Sequence, residues 1–247
     1  MSGDHDLAAV LARLRPSSAD AGLVGADAQR CARALGVDGV AASILTDGGP
    51  SEVVWCSDGV SARLEEAQFT LGQGPGLEAG VSCAPVLVPD LARVPGGRWP
   101  VLLPEIAALG IGAVFCIPLA VGGACLGTLT LQRTAPGPLT DAATTDAWLV
   151  ADALTAALLE GGPQRDAFAA AEEGTDFYHA VVHQASGMVS VQAGVPVAQA
   201  LLRLRAHAFR HGRPVAEVAG DVVARRLSFR DDDNGPDTAA GEGTEGS

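Results

Sequence analysis

Two pairs of β-prone runs in this chain are joined by connections that allow only a reversal of direction. Val40-Ala-Ala-Ser-Ile-Leu45 meets Glu52-Val-Val-Trp-Cys56 through Asp47-Gly-Gly-Pro50. Gly112-Ala-Val-Phe-Cys-Ile-Pro118 meets Cys125-Leu-Gly-Thr-Leu-Thr-Leu-Gln132 through Val121-Gly-Gly-Ala124. Parallel pairing needs a crossover of about a dozen residues or more, so these strands pair antiparallel. Pro85-Val-Leu-Val88 is a further strand. Helical patterns run over 7–15, from Asp20 to Gly36, from Ser61 to Gln68, over 101–109, and from the N-cap Thr140 or Asp141 to about Glu160. Leu71-Gly-Gln-Gly-Pro-Gly76 reads as a glycine-rich loop at the rim of a pocket. The block is therefore α+β, an antiparallel sheet flanked by helices.

Gly161-Gly-Pro163 breaks the chain, and the helix formers 164–173 predict a connecting helix ending at Gly174. Residues 175–230 are helical by pattern. Tyr178, Val181, Val182, Ala185, Met188 and Val189 share one helical face, Gly194 stops it, and Pro196 opens the next helix. That helix buries Val197, Ala200, Leu201, Leu204 and Ala208 and stops at Gly212. Pro214 opens a third, with Val215, Val218, Ala219, Val222 and Val223 facing inward. From Asp231 the chain is acidic and glycine-rich, the composition of a disordered tail.

Charge separates the two blocks. The chain carries a formal −13, with no Lys among its 16 basic residues. Yet between Thr175 and Arg230 seven Arg face only three acids, Asp176, Glu217 and Asp221. Such a split by sign predicts that the helical block meets a different partner from the rest. Arg210, Arg225, Arg226 and Arg230 lie at helix C-termini, where a cation complements the macrodipole. Arg203 and Arg205 have no such explanation, and a guanidinium fork suits phosphates and stacks on unpaired bases.

Catalysis finds little support. No His lies between His5 and His179, and the glycine loop lacks the Lys-Ser/Thr of a nucleotide-binding P-loop. His179 with His183, and His207 with His211, have spacings that could hold a metal, but solvated helix faces explain them equally and no carboxylate joins them. No metal, cofactor or catalytic residue is therefore expected. The five Cys are widely spaced without a CxxC, which suits reduced thiols. A redox enzyme would require two of them within disulfide reach, with Cys83, Cys116 and Cys125 the ones to inspect. With no run of about 18 apolar residues and no basic N-terminal leader, a cytoplasmic protein without a membrane span is expected.

The helical block resembles an ANTAR domain. The resemblance rests on His183-Gln-Ala-Ser-Gly-Met-Val-Ser-Val-Gln192, Ala200-Leu-Leu-Arg-Leu-Arg-Ala206, Arg213-Pro-Val-Ala-Glu-Val-Ala219 and Asp221-Val-Val-Ala-Arg-Arg-Leu227. It implies a dimerising three-helix module that binds paired stem-loops in nascent RNA and so prevents termination of transcription. Ser186, Gly187, Arg203, Arg205 and Arg213 are the implied RNA contacts. Many members carry Lys where Ser186 stands.

The upstream block resembles a GAF domain of the kind fused to ANTAR in actinobacteria. The carrying residues are Gln68-Phe-Thr-Leu-Gly-Gln-Gly-Pro-Gly76, Pro85-Val-Leu-Val-Pro-Asp-Leu91, Arg98-Trp-Pro100 and Ala113-Val-Phe-Cys-Ile-Pro-Leu119. The resemblance implies a sensory domain with a cleft for a small ligand, lined by Phe69, Gly74, Trp99 and Phe115. Where many relatives carry a Cys, this chain has Gly76.

These features divide the chain into an N-terminal helical segment 1–19, a GAF domain 20–160, a linker 161–174, an ANTAR domain 175–230 and a tail 231–247. The expected function is a non-enzymatic, homodimeric antitermination regulator in which a ligand or partner at the GAF domain controls RNA binding. Two alternatives remain open at this level: a dimeric protein-interaction adaptor without RNA, and a GAF-fold thiol oxidoreductase.

Overall fold

A computed structural model describes residues 2–14, 27–46, 49–159 and 176–229. The chain forms two compact units, Met1–His179 and Ala180–Ser247. The connecting helix read at 164–173 and the tail from Asp231 lie outside the described residues.

The first unit is built on five antiparallel strands: β1 (Gly39–Thr46), β2 (Gly49–Cys56), β3 (Val86–Val88), β4 (Ala113–Val121) and β5 (Ala124–Arg133). Their order across the sheet is β2-β1-β5-β4-β3, with both short turns closing hairpins as their length requires. Among the described residues six helices accompany them: α1 (Ser2–Leu14), α2 (Ala28–Leu35), α3 (Gly59–Leu71), α4 (Pro75–Ser82), α5 (Leu102–Ala108) and α6 (Asp141–Leu159).

The side-chain period of two sends alternate residues to opposite faces of this sheet. On one face Val40, Ala42, Phe115, Ile117, Leu129 and Leu131 pack against α1, α2 and α6 in a dry core. Leu7, Val10 and Leu14 of α1 belong to that core, and Arg30 of α2 donates to Asp6 of α1 at 2.6 and 2.8 Å. Helix α1 is therefore part of this domain and not of a separate segment 1–19, because it fills space the sheet would otherwise leave open. The helix predicted from Asp20 has its described part at Ala28–Leu35, capped by Asp27, which accepts from the Arg30 amide at 2.9 Å; residues 20–26 lie outside the described residues. By length and hydropathy α6 could cross a membrane, but its Ala147, Val150, Ala151 and Leu154 line packs into this same core.

The other face is covered by α3, α4, α5 and a 3-10 turn at Leu91–Arg93. Here the structure differs from the glycine loop read at 71–76. Pro75 starts α4 with its fixed φ, and Gly74 precedes it at φ 137, a conformation closed to most side chains. Gly76, Ala79 and Gly80 are poor helix formers or small residues, yet they let α4 lie flush on the sheet: Gly80 already sits against Leu45. Packing decides the conformation here against propensity.

The second unit contributes α7 (Asp176–Ala193) from Ala180 onward, α8 (Val197–Arg210) and α9 (Val215–Val223). Gly194 (φ 63) and Gly212 (φ 61) end the first two in the left-handed conformation that glycine adopts freely. Val182, Ala185 and Val189, then Ala200, Leu201, Leu204 and Ala208, then Val215, Val218, Ala219 and Val222 are the buried lines. The segment after α9 returns to α7, where the Phe229 amide donates to Gln192 at 2.9 Å.

Candidate functional site

The covered face of the sheet is polar in its middle. Ser43 of β1 stands opposite Thr128 of β5, which stands opposite Pro118 of β4. One step along, Ala41, Thr130 and Cys116 form the next row, and Gln132 follows. Ser43, Thr128, Thr130 and Gln132 are all at most 3% exposed. Hydroxyls in a place that could have held Val or Leu are costly unless they have work to do or partners to bond.

Helix α3 supplies the partners. The Glu65 carboxylate, itself 3% exposed, accepts from Ser43 Oγ at 2.8 Å and from Gln68 Nε2 at 3.0 Å. Gln68 turns its carbonyl oxygen to the Gly76 amide at the start of α4, at 2.7 Å. The sheet, α3 and α4 are thus joined by one chain of hydrogen bonds. Cys116 Sγ and Thr130 Oγ1 are 3.5 Å apart, and burial first, then the Glu65 charge, push the Cys116 thiol up. Thr128 Oγ1 is buried without a hydrogen-bond partner. A buried carboxylate has two oxygens that only accept, so what it recognises must donate. Here both Glu65 oxygens already accept within the cluster, one from Ser43 and one from Gln68, and Thr128 Oγ1 is the buried hydroxyl left without a partner.

A concavity lies on the outer side of α4, a cleft of about 520 Å³ lined by Gln73, Leu77, Glu78, Val86, Arg98 and Trp99. Glu78 organises it, accepting from Arg98 Nη2 at 2.6 Å and from Trp99 Nε1 at 2.8 Å. Arg98 holds the Glu78 carboxyl below its ordinary value, with Trp99 assisting, and its guanidinium also stands 4.4 Å from the Trp99 ring centre.

The four residues named for the ligand cleft are not brought together. Gly74 and Trp99 line the outer cleft. Phe69 is buried in α3 at 1% exposure. Phe115 faces the opposite side of the sheet, in the dry core under α6, because it alternates with Cys116; it cannot wall a ligand on the α3 and α4 side. The residues that the sequence reading missed are Ser43, Glu65, Gln68, Thr128 and Thr130. Their signal was present in β5, where Thr128-Leu-Thr-Leu-Gln132 alternates strictly between polar and apolar.

In the second unit Ser186 is 1% exposed, and its hydroxyl donates to the Val182 carbonyl at 2.8 Å, one turn back on α7. It packs inside and cannot contact RNA. Gly187 opens onto a groove of about 770 Å³ shared with Gln184, Met188, Val191, Gln192 and Arg225. Arg213 is engaged by Asp221 at 2.7 Å and Glu217 at 3.6 Å, and Asp221 also holds Arg226 at 2.8 Å. Arg203 and Arg205 are half-buried on α8, and burial lowers the Arg205 pKa to about 10. Arg210 and Arg225 are exposed. Arg225 also takes the left-handed conformation at φ 59, which a non-glycine residue adopts only when its surroundings hold it there.

A family model described as GAF domain matches residues 28–158. Among solved structures the chain is similar to the GAF domain of a phosphoenolpyruvate-protein phosphotransferase from Coxiella burnetii, at 17% identity and a TM-score of 0.51, covering 67% of this chain and 96% of that one. The equivalent domain from Acinetobacter is 14% identical with a TM-score of 0.48, over 65% and 94% of the two chains. A domain of a sensor histidine kinase protein from Sinorhizobium meliloti is 19% identical with a TM-score of 0.45, over 58% and 90%. No curated protein matches the chain.

Proposed function

The chain belongs to the GAF family, and on that premise we propose that it is a signal-responsive regulator whose sensory domain controls RNA binding by its C-terminal helices. GAF domains are ligand- and signal-sensing domains, and this one takes up a small hydrogen-bond-donating molecule or answers to a partner. The output is an ANTAR-type module acting on paired stem-loops in nascent transcripts. The protein acts without catalysis, in the cytoplasm, as a homodimer.

The observation that carries the sensory half is the buried polar row, Ser43, Thr128 and Thr130 beneath Glu65 and Gln68, in a sheet whose other face packs an apolar core. The output half is supported by the positive balance of 175–230 in an acidic chain and by the motifs of α7, α8 and α9. With Ser186 inside, the RNA contacts shift to Gly187, Arg203, Arg210 and Arg225. Leu202 and Phe209, seven residues apart on α8 and 65% and 68% exposed, offer a dimer surface.

Binding to paired stem-loops, measured by filter retention across a salt series, is expected to weaken steeply as salt rises, because phosphate contacts release counterions. A flat response or no retention overturns the RNA half. Gly187→Ala separates binding from folding. A methyl there meets nothing within 4 Å, so the variant is expected to be more stable by about 0.5–1 kcal/mol, as Ala replaces Gly inside a helix. Stem-loop affinity should nevertheless fall as the groove narrows, and unchanged affinity would remove the groove from the binding surface.

A further inference from the structure

His207 and His211 stand one turn apart at the end of α8, and the function proposed above makes no use of them. The fold brings their rings together, with centres 4.1 Å apart and planes 26° from parallel. Phe229, in the segment that follows α9, meets the His207 ring at 5.4 Å and 69°. His211 turns Nδ1 to the His207 carbonyl at 2.8 Å. A carbonyl only accepts, so Nδ1 carries the hydrogen, and Nε2 is the nitrogen left to take up a proton. His207 is half-buried, while His211 and Arg210 are exposed, so the stack has one side packed and one side open to a ligand.

The pair stands among cations. Burial of the ring first, then His211, Arg213 and Arg210, favour the uncharged form of His207 and lower its pKa. Arg203 lies one turn before His207 on the same helix face. From α9 come the acids Glu217 and Asp221, which bond Arg213, and Asp221 also holds Arg226 of the following segment. The carbonyl end of a helix ordinarily favours a charged imidazole. Here burial and the neighbouring cations outweigh it. An anion seated against the open side of the stack opposes the effect of every one of those cations.

We propose that the stacked His207–His211 pair, with Arg210 beside it, is a binding site for an anionic phosphodiester, and that the pair takes up a proton from solvent as the ligand binds. The coupling is reciprocal: a phosphodiester that favours the charged imidazole is itself favoured by that charge, by the same factor. The sign follows. The free protein gives up the His207 proton at lower pH than the complex does, so affinity falls as pH rises between those two values. For one proton the change is at most about tenfold per pH unit. That RNA supplies the phosphodiester rests on the reading above; the site itself does not.

A labelled decamer of abasic deoxyribose phosphates tests the site without bases or hairpins. Its diesters keep their charge throughout the neutral range, so a pH dependence belongs to the protein. Fluorescence anisotropy with the full-length protein at constant ionic strength should show affinity about tenfold higher at about pH 6 than at about pH 7.5. His207→Gln should reduce that ratio to less than about twofold, the loss of one coupled proton. Proton NMR of the unsubstituted protein gives a readout that a folding defect in the variant cannot imitate: the decamer should move the His207 titration to higher pH. No binding, equal affinity at the two pH values, an unmoved titration, or an unchanged ratio in His207→Gln would each overturn the proposal. Decamer binding that follows pH, without retention of stem-loops, leaves this site standing and removes the RNA output. Stem-loop retention that weakens with salt but is indifferent to pH does the reverse.

Discussion

Trp99→Ala is expected to destabilise the GAF domain by about 3–5 kcal/mol, the range for truncating a buried aromatic. Trp99 is 2% exposed and packs with Leu64, Leu102, Ile106 and Val114 between the sheet and α5. Its removal leaves a cavity that the short α5 has little means to close. It also takes away the indole N–H that Glu78 accepts at 2.8 Å, leaving the carboxylate to Arg98 in the cleft. Trp99→Phe keeps most of the packing and loses only the hydrogen bond, so its cost should be nearer 1–2 kcal/mol, roughly that of one partly exposed charged bond with some lost volume. Urea denaturation of the two variants measures both. If Trp99→Ala costs less than about 1 kcal/mol, typical of surface positions, the ring is a ligand wall and not part of the framework. A value in the expected range makes Trp99 the floor of the outer cleft, fixed before any ligand arrives.

Much of this architecture was legible because local rules and tertiary structure agree. The two hairpins follow from turn length, and the helices of the second unit follow from glycine stops and proline starts. Helix α4 was not legible. Gly74, Gly76 and Gly80 lower helix propensity wherever they stand, and only the sheet surface beneath explains why small residues are placed there. The N-terminal helix was legible as a helix but not as part of the core, since nothing local says which surface its Leu7, Val10 and Leu14 cover.

The site was half legible for a reason that belongs to the sheet. Strand β4 is buried on both faces from Ala113 to Leu119, so its sequence carries no alternation to tell Phe115 from Cys116. Choosing the aromatic selected the wrong face. Strand β5 does alternate, Thr-Leu-Thr-Leu-Gln, and pairing Thr130 with Cys116 transfers that parity to β4. Glu65 could not be found this way. A Glu beside Glu66 on a predicted helix reads as solvated, and its burial depends on Ser43 arriving from β1, with Gln68 one turn along the same helix. Ser186 misled for the opposite reason: its place in a motif suggested exposure, while its spacing from Val182 and Val189 puts it beside the buried line.

The polar row rests on a close approach of two strands, which makes Gly127→Ala the severest single-methyl change expected in this domain. Gly127 pairs with Ile44 on one side and Leu119 on the other. A Cβ there would run into the Ser43 carbonyl oxygen and come within 3.0 Å of Ile44 Cα. Both are backbone, so no rotamer relieves the contact and β1 must move away from β5. A cost of about 3 kcal/mol is expected, at the upper end for overpacking a close-packed interior. Gly123→Ala, in the hairpin turn four residues earlier, meets nothing within 4 Å and should change stability by less than about 0.5 kcal/mol. The clash also falls beside the Ser43–Thr128 pair, so even a folded Gly127→Ala domain would separate Ser43 Oγ from Glu65. Urea midpoints for the two variants give the first outcome, and exchange of the Gly76 amide gives the second, since that amide is protected through Gln68 and Glu65. Equal midpoints for the two would mean that β1 and β5 can part without cost. The row would then be a loose surface of hydroxyls, not a site held in place.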